Sequence, residues 1–269
     1  MKFALIEGKR TEATKGAKGS CPSCGSELIA RCGELKVNHW AHKSIRKCDS
    51  WWEKETEWHR SWKAHYPNDW QEIVMSDEIT GEKHIADVRT IHNLVIEFQH
   101  SHIKTQERIS REKFYKNLIW IVDGTRLQRD YPRFLRSFES FRQVQEGVFI
   151  VDFPDEVFPK SWLKSTVPVV FDFHGFSANG HDEIKNTLWC LLPQQQKTQA
   201  VVIGLKRSAF VKITHNHEKL FITKNKPEQQ QPLTSLTSSR NIQRRGPLID
   251  YIEKRQSSNQ HRTRKGKRK

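Results

Sequence analysis

Cysteine is scarce, with five in 269 residues at positions 21, 24, 32, 48 and 190. An odd, small number excludes a disulfide framework of the kind found in secreted domains. No apolar run approaches the roughly 20 residues needed to span a bilayer. The first ten residues, MKFALIEGKR, lack the apolar core of a signal peptide. These absences point to a cytoplasmic protein with no membrane association. Acidic residues are the minority charge, 31 against 46 Lys and Arg, for a net +15. The excess is uneven: residues 221–269 carry 13 basic and 3 acidic residues, and the rest of the chain 33 and 28. A mildly basic body with a strongly basic tail fits a polyanion partner, and DNA is the expected one. A phosphate loop is also missing. His174 to His181 holds two glycines but no Lys-Ser/Thr pair, so it reads as a plain turn.

The cysteines that are present cluster early. Cys21-Pro-Ser-Cys24-Gly25 is a zinc-knuckle signature, in which the short spacing puts two thiolates on one tetrahedral ion and the glycine lets the backbone turn. His39-Trp-Ala-His42 follows. Cys21, Cys24, His39 and His42 make a full ligand set for structural Zn²⁺, with Cys48 as the rival for the fourth place.

The densest signal lies between His84 and Asp123. Residues 83–91 and 94–100 read as two strands, 103–117 as a half-exposed helix, and 118–123 (LIWIVD) as a buried strand. Asp87 and Glu97 sit inside the strands, where an unpaired carboxylate is costly. A three-residue loop over 91–93 would set Asp87 opposite Glu97, with Asn93 in the left-handed conformation that Asn tolerates. Two facing carboxylates repel unless a hard cation lies between them, and Mg²⁺ or Mn²⁺ suits that place. Upstream, residues 51–66 read as a helix with Trp51, Trp58, Trp62 and His65 on one stripe, and 71–76 as a strand before a turn around Gly81. The order is helix, three antiparallel strands, helix, strand. In the second helix Arg111 and Tyr115 are one turn apart. They can clamp a phosphate, or belong to a solvated basic face with the tyrosine packed on the sheet.

The pattern Ala86-Asp87-Val88, Ile96-Glu97-Phe98-Gln99-x-Ser101, Arg111-x-x-x-Tyr115 and the Trp120 strand resembles the nuclease core of the competence protein CoiA-like family. Cys-Pro-x-Cys-Gly followed by His-Trp-Ala-His resembles that family's N-terminal segment. The resemblance implies a restriction-endonuclease-like, PD-(D/E)XK α-β-β-β-α-β core of mixed α+β or α/β class. It also implies metal held by Asp87 and Glu97. The superfamily usually places a lysine two residues after the glutamate, and here Gln99 stands there, able to orient water or a phosphate oxygen but without positive charge. A first helix contributes a glutamate near the metal. Glu57 is assigned that role, with Glu55 and Glu53 as alternatives, and His59 that of a phosphate contact or proton donor; a packed structural histidine is its other reading. Arg111 and Tyr115 are assigned to the DNA backbone. The family's tie to competence implies processing of incoming single-stranded DNA. A non-catalytic DNA-binding module, or an accessory protein that loads a recombinase, is the competing expectation.

The expected segments are a zinc-binding stretch over 1–50, the nuclease core over 51–125, a mixed α/β extension over 126–224 and a basic, disordered tail over 225–269. Within the extension, 126–145 reads as an amphipathic helical segment with Phe134, Leu135, Phe138 and Phe141 at helical spacing. Residues 147–152, 167–173, 200–205 and 209–214 read as strands, with Trp162 and Trp189 in short helical pieces or connectors.

Overall fold

Strand Leu118–Asp123 is buried along its whole length, and the larger of two sheets is built outward from it. The computed structural model describes residues 1–34, 36–44, 48–173, 183–193 and 198–217. The expected turn at His174 to His181 and the basic tail over 225–269 lie outside them. A small antiparallel sheet comes first, from β1 (Phe3–Ile6), β2 (Lys9–Glu12), β3 (Lys18–Ser20), β4 (Glu27–Gly33) and β5 (Lys36–His42), in the order β2-β1-β3-β4-β5. The basic stretch over residues 8–20 holds two of these short strands.

Then follow α1 (Glu57–Lys63), β6 (Gln71–Ser76), β7 (Lys83–Arg89), β8 (Val95–Gln99), α2 (Thr105–Tyr115) and β9 (Leu118–Asp123), the expected order. The chain continues through α3 (Asp130–Phe138), β10 (Arg142–Gln145), β11 (Val148–Asp152), α4 (Pro154–Val157), β12 (Val169–Asp172), α5 (Glu183–Asn186), β13 (Thr187–Leu191), β14 (Gln199–Lys206) and α6 (Arg207–Asn216). The nine strands from β6 on form one mixed sheet, β10-β11-β14-β13-β12-β9-β8-β7-β6. Its pairs are antiparallel except those of β9, which runs parallel to both β8 and β12.

Period-two alternation divides the core. Ile119 and Ile121 face one side, with Trp58 and Trp62 of α1 and Phe210 of α6. Leu118, Trp120 and Val122 face the other, with Tyr115 of α2 and Phe134 of α3. Covering both faces explains why β9 is a continuous apolar run.

Several local expectations change. The helix expected over 51–66 begins only at Glu57, because Thr56 caps it. The Thr56 hydroxyl accepts from His59 N–H at 3.4 Å, and His59 Nδ1 accepts from Thr56 N–H at 3.2 Å. Trp51 therefore leaves the stripe and stacks on His84 at 3.2 Å, and His65 falls beyond the helix. Residues 209–214 lie in helix α6 rather than a strand. Phe210, Ile213 and Thr214 are buried at spacings of three and four, and their shared helical face meets the sheet. Trp189 is in β13, and the segment over 126–145 stops being helical at Phe138, with 142–145 forming edge strand β10.

Trp58 and Trp62 both donate their indole N–H to Asp172 Oδ2, at 3.1 and 3.0 Å, and Arg207 donates to Oδ1 at 2.8 Å. Asp172 is buried and is an anchor between α1 and the second half of the sheet. Asp172→Ala leaves two buried donors without this acceptor, and the expected loss is roughly 2–5 kcal/mol of folding stability. Denaturant titration checks this; a loss below about 1 kcal/mol would show that the anchor is energetically idle.

Candidate active site

The knuckle sits at the edge of the small sheet. Gly25 takes φ +72°, its N–H donates to the Cys21 carbonyl at 2.9 Å, and the turn brings Cys24 beside Cys21. The ligand atoms of Cys21, Cys24, His42 and Cys48 all lie within 4.8 Å of one another. Cys21 Sγ is 3.6 Å from Cys48 Sγ, and Cys24 Sγ is 3.4 Å from His42 Nε2. Zn–S and Zn–N bonds of ordinary length imply tetrahedral edges of about 3.8 Å between sulfurs and about 3.6 Å from sulfur to nitrogen. The cluster therefore fits zinc, and its Cys₃His donor set suits a structural site. Burial and the neighbouring thiols push the Cys48 thiol up to about 12, a cost that a bound cation removes.

His39 is not in this group. It shares strand β5 with His42, and residues three apart on a strand face opposite sides. His39 Nδ1 instead meets the Val37 carbonyl at 2.9 Å. The fourth place goes to Cys48.

The acidic centre opens on a cleft of about 270 Å³ whose lining includes His42 and Cys48 as well as Glu53, Asp87, Glu97 and Arg111. The hairpin has the three-residue loop, pairing Val88 with Ile96 and Arg89 with Val95, and Asn93 takes φ +59°. One residue further, this register sets Asp87 opposite Glu97. On the other side, the pairs Gln71–Val88 and Ile73–Ala86 set Glu72 opposite Asp87. Three carboxylates thus form one row across three strands. There the ladder gives way to side chains: Asp87 N–H donates to Glu97 Oε1 and Phe98 N–H to Asp87 Oδ2, both at 3.0 Å.

Two cations offset the row. Lys63, buried on α1, reaches Asp87 Oδ1 at 3.0 Å and Glu55 and Glu72 at 3.2 Å each. Arg111 reaches Glu97 Oε2 at 3.0 Å and the Trp51 carbonyl at 2.6 Å, and also pairs with Glu107. It is engaged within the protein and does not stand open as a phosphate clamp; Tyr115 is buried beside it. His59 is likewise engaged at both nitrogens, since its Nε2 donates to the Phe98 carbonyl at 3.1 Å. Burial holds its pKa down at about 4, so it is a neutral, packed cap. Glu57 is exposed on the first turn of α1. The glutamates near the centre are Glu53 and Glu55, on the extended chain before the helix. Gln99 Nε2 donates to Glu53 Oε2 at 2.8 Å, while Gln99 Oε1 is buried with no hydrogen-bond partner among the described residues. Glu72 is the site residue that sequence spacing does not reveal, whereas Lys63 closes the Glu55-Thr-Glu-Trp-His59-x-x-Trp-Lys63 segment, which resembles the family's helix. The signal available for Lys63 was the four-residue step from His59, which puts both on one face of α1.

Glu53, Glu55, Glu72, Asp87 and Glu97 outnumber Lys63 and Arg111, and a divalent cation suits that imbalance of oxygen donors. Burial first, and then the charge of Asp87, push the Glu97 carboxyl up to about 8, against the pull of Arg111. The unfolded chain releases this proton in the ordinary carboxylate range, while the folded protein keeps it until about pH 8. Its contribution to stability is therefore complete below the ordinary range and is lost as pH rises through that window. A cation at Glu97 has to displace the proton. Mn²⁺ affinity is expected to rise from pH 6 to 8.5, with about one proton released per ion near pH 6.5. Calorimetry in buffers of different ionisation enthalpy measures this, and pH-independent binding would contradict it.

Among the described residues, no helix is long and apolar enough to cross a membrane. Residues 7–50 match the family model of the N-terminal domain of competence protein CoiA, and residues 83–146 that of its nuclease-like domain. No curated protein and no solved structure matches the chain significantly. The first match holds the cysteine-histidine cluster and the second the Asp87–Glu97 hairpin, while Lys63 and Glu72 fall in the interval between them. Two segments of this chain are thus similar, in order, to the N-terminal and the nuclease-like domains of the competence protein CoiA family.

Proposed function

We propose that this protein is a divalent-metal-dependent nuclease that hydrolyses DNA phosphodiester bonds on a PD-(D/E)XK-type core. The observation that carries the reading is the Lys63 ammonium 3.0 Å from Asp87, in the row that also holds Glu97. It supplies from α1 the positive charge that Gln99 cannot supply from β8. Asp87 and Glu97 would hold Mg²⁺ or Mn²⁺, whose contribution when bound is charge neutralisation and Lewis acidity at the phosphate. Arg111 fixes the Glu97 carboxylate, and His59 fixes the Phe98 carbonyl on the same strand. Lys63 would add a fixed positive charge beside Asp87, felt by a bound phosphate without a donated hydrogen bond, since its three donors are taken within the protein. Gln99 fixes Glu53 through its Nε2–H, while its Oε1 is buried away from the wall of the cleft. The cysteine-histidine cluster, loaded with zinc, braces the wall of the cleft. The basic residues after 221 add sequence-independent attraction to DNA that weakens with salt.

A second reading is a DNA-binding or recombinase-loading protein with a silent core. Its support is that each oxygen of Asp87 and Glu97 already has a donor in the protein. Labelled single- and double-stranded DNA incubated with Mg²⁺, Mn²⁺ or EDTA separates the two. Cutting that needs the cation supports the nuclease; retention of DNA without cutting, by folded and zinc-loaded protein, supports the binder.

A further inference from the structure

Glu72 stands at the start of β6 with φ +48°, a backbone conformation that a glutamate holds only when its surroundings impose it. Those surroundings come from two directions. The N–H of Lys2 donates to Glu72 Oε1 at 2.7 Å and that of Phe3 to Oε2 at 3.0 Å, so the entry to the small sheet is bound to this one carboxylate. The Lys63 ammonium reaches the same Oε1 at 3.2 Å. Lysine has three N–H donors, and Asp87, Glu55 and Glu72 are its three acceptors. Any change in the hold of one moves the others.

We propose that Glu72 is a positioning residue, through which docking of the zinc-binding sheet sets where the Lys63 ammonium lies at Asp87. The proposal rests on the reading of Asp87 and Glu97 as a cation site. The two backbone donors take part of the negative charge of Glu72, which leaves Lys63 shared with Asp87. Without them the ammonium is drawn toward Glu72. Without the Glu72 charge it falls onto Asp87 and competes with a cation there. A parallel tether supports the same coupling. Asp49 follows Cys48 directly and accepts from Ile85 N–H at 2.9 Å, two residues before Asp87 on β7. Its other oxygen meets His84 Nδ1 at 2.8 Å. The last ligand of the zinc cluster and the strand of Asp87 are therefore joined through one residue and one hydrogen bond.

The test uses the full chain loaded with zinc, with Mn²⁺ as the probe and free ion read by electron paramagnetic resonance. Glu72→Gln keeps the size of the side chain and removes its charge. Its Mn²⁺ affinity is expected to fall about tenfold, as is typical when a partner of a ligand is lost, with zinc content unchanged. Glu72→Asp keeps the charge and shortens the reach, and is expected to fall about threefold. Where DNA is cut, the loss in Glu72→Gln is expected in kcat with KM for DNA unchanged. Wild-type Mn²⁺ affinity in folded, zinc-loaded Glu72→Gln would overturn the proposal. Should that variant not fold, wild-type affinity in Glu72→Asp would do so. A wild-type protein that binds no Mn²⁺ would overturn the cation reading itself and the proposal with it.

Discussion

Asp87→Ala is expected to reduce metal-dependent cleavage by about 10³-fold or more while DNA retention stays within about twofold. The asymmetry follows from what Asp87 touches. It is bound to Lys63 and to the Phe98 N–H at the centre of the cleft, and takes no part in the aromatic core. Its loss would remove one of the two proposed cation ligands. It leaves Lys63 paired with Glu55 and Glu72, so the ammonium is not stranded in the interior. Lys63→Met is expected to be as damaging to cleavage. It also strips the charge partner from Glu72, whose carboxyl Lys63 and neighbouring donors hold at about 2, so a lower melting temperature should accompany it. Gel assays with end-labelled DNA and a thermal melt of each variant are sufficient. Cleavage by Asp87→Ala within about tenfold of wild type would remove the hairpin from the chemistry.

The second large effect concerns the cysteine-histidine cluster. Cys48→Ser is expected to abolish zinc retention against a chelator and to melt the small sheet, whereas His39→Ala should keep its zinc. Structural zinc contributes about 10–16 kcal/mol of apparent binding energy in small zinc-folded peptides. Few apolar residues replace it here, since among the described residues the core cluster of the small sheet is Ala4, Ala13, Cys21, Leu28 and Trp40 with partly buried neighbours, and Phe3 is buried beside it. Metal content by elemental analysis, with melting followed by circular dichroism, measures both variants. Zinc kept by Cys48→Ser and lost by His39→Ala would reverse the ligand assignment. Because Asp49 ties the segment after Cys48 to β7, chelation of zinc is also expected to loosen the hairpin that carries Asp87.

What the amino-acid sequence determined by itself was local. The order of helix, three strands, helix and strand was legible because each element carries its own periodicity. The hairpin register was legible because Asn93 accepts a left-handed turn and a three-residue loop leaves only one pairing, which the strands adopt. The Cys21–Cys24 knuckle was legible because four residues and a glycine suffice to build it. The structure decided the rest. Thr56, by capping α1, put Glu57 on the exposed first turn and left Glu53 and Glu55, on the extended chain before it, at the site. The alternation of β5 separated His39 from His42 and gave the fourth position to Cys48. Arg111 turned inward because the buried Glu97 carboxylate pairs with its guanidinium at 3.0 Å. The positive charge missing at Gln99 arrived on Lys63 from another element. The cap and the strand alternation are local effects, whereas the two charges, Arg111 and Lys63, share a tertiary reason. Backbone periodicity and turn chemistry act over a few residues and are written along the chain. The pairing of a buried charge is settled by whatever partner the packed elements bring within about 3–4 Å, and that distance is not written in sequence spacing.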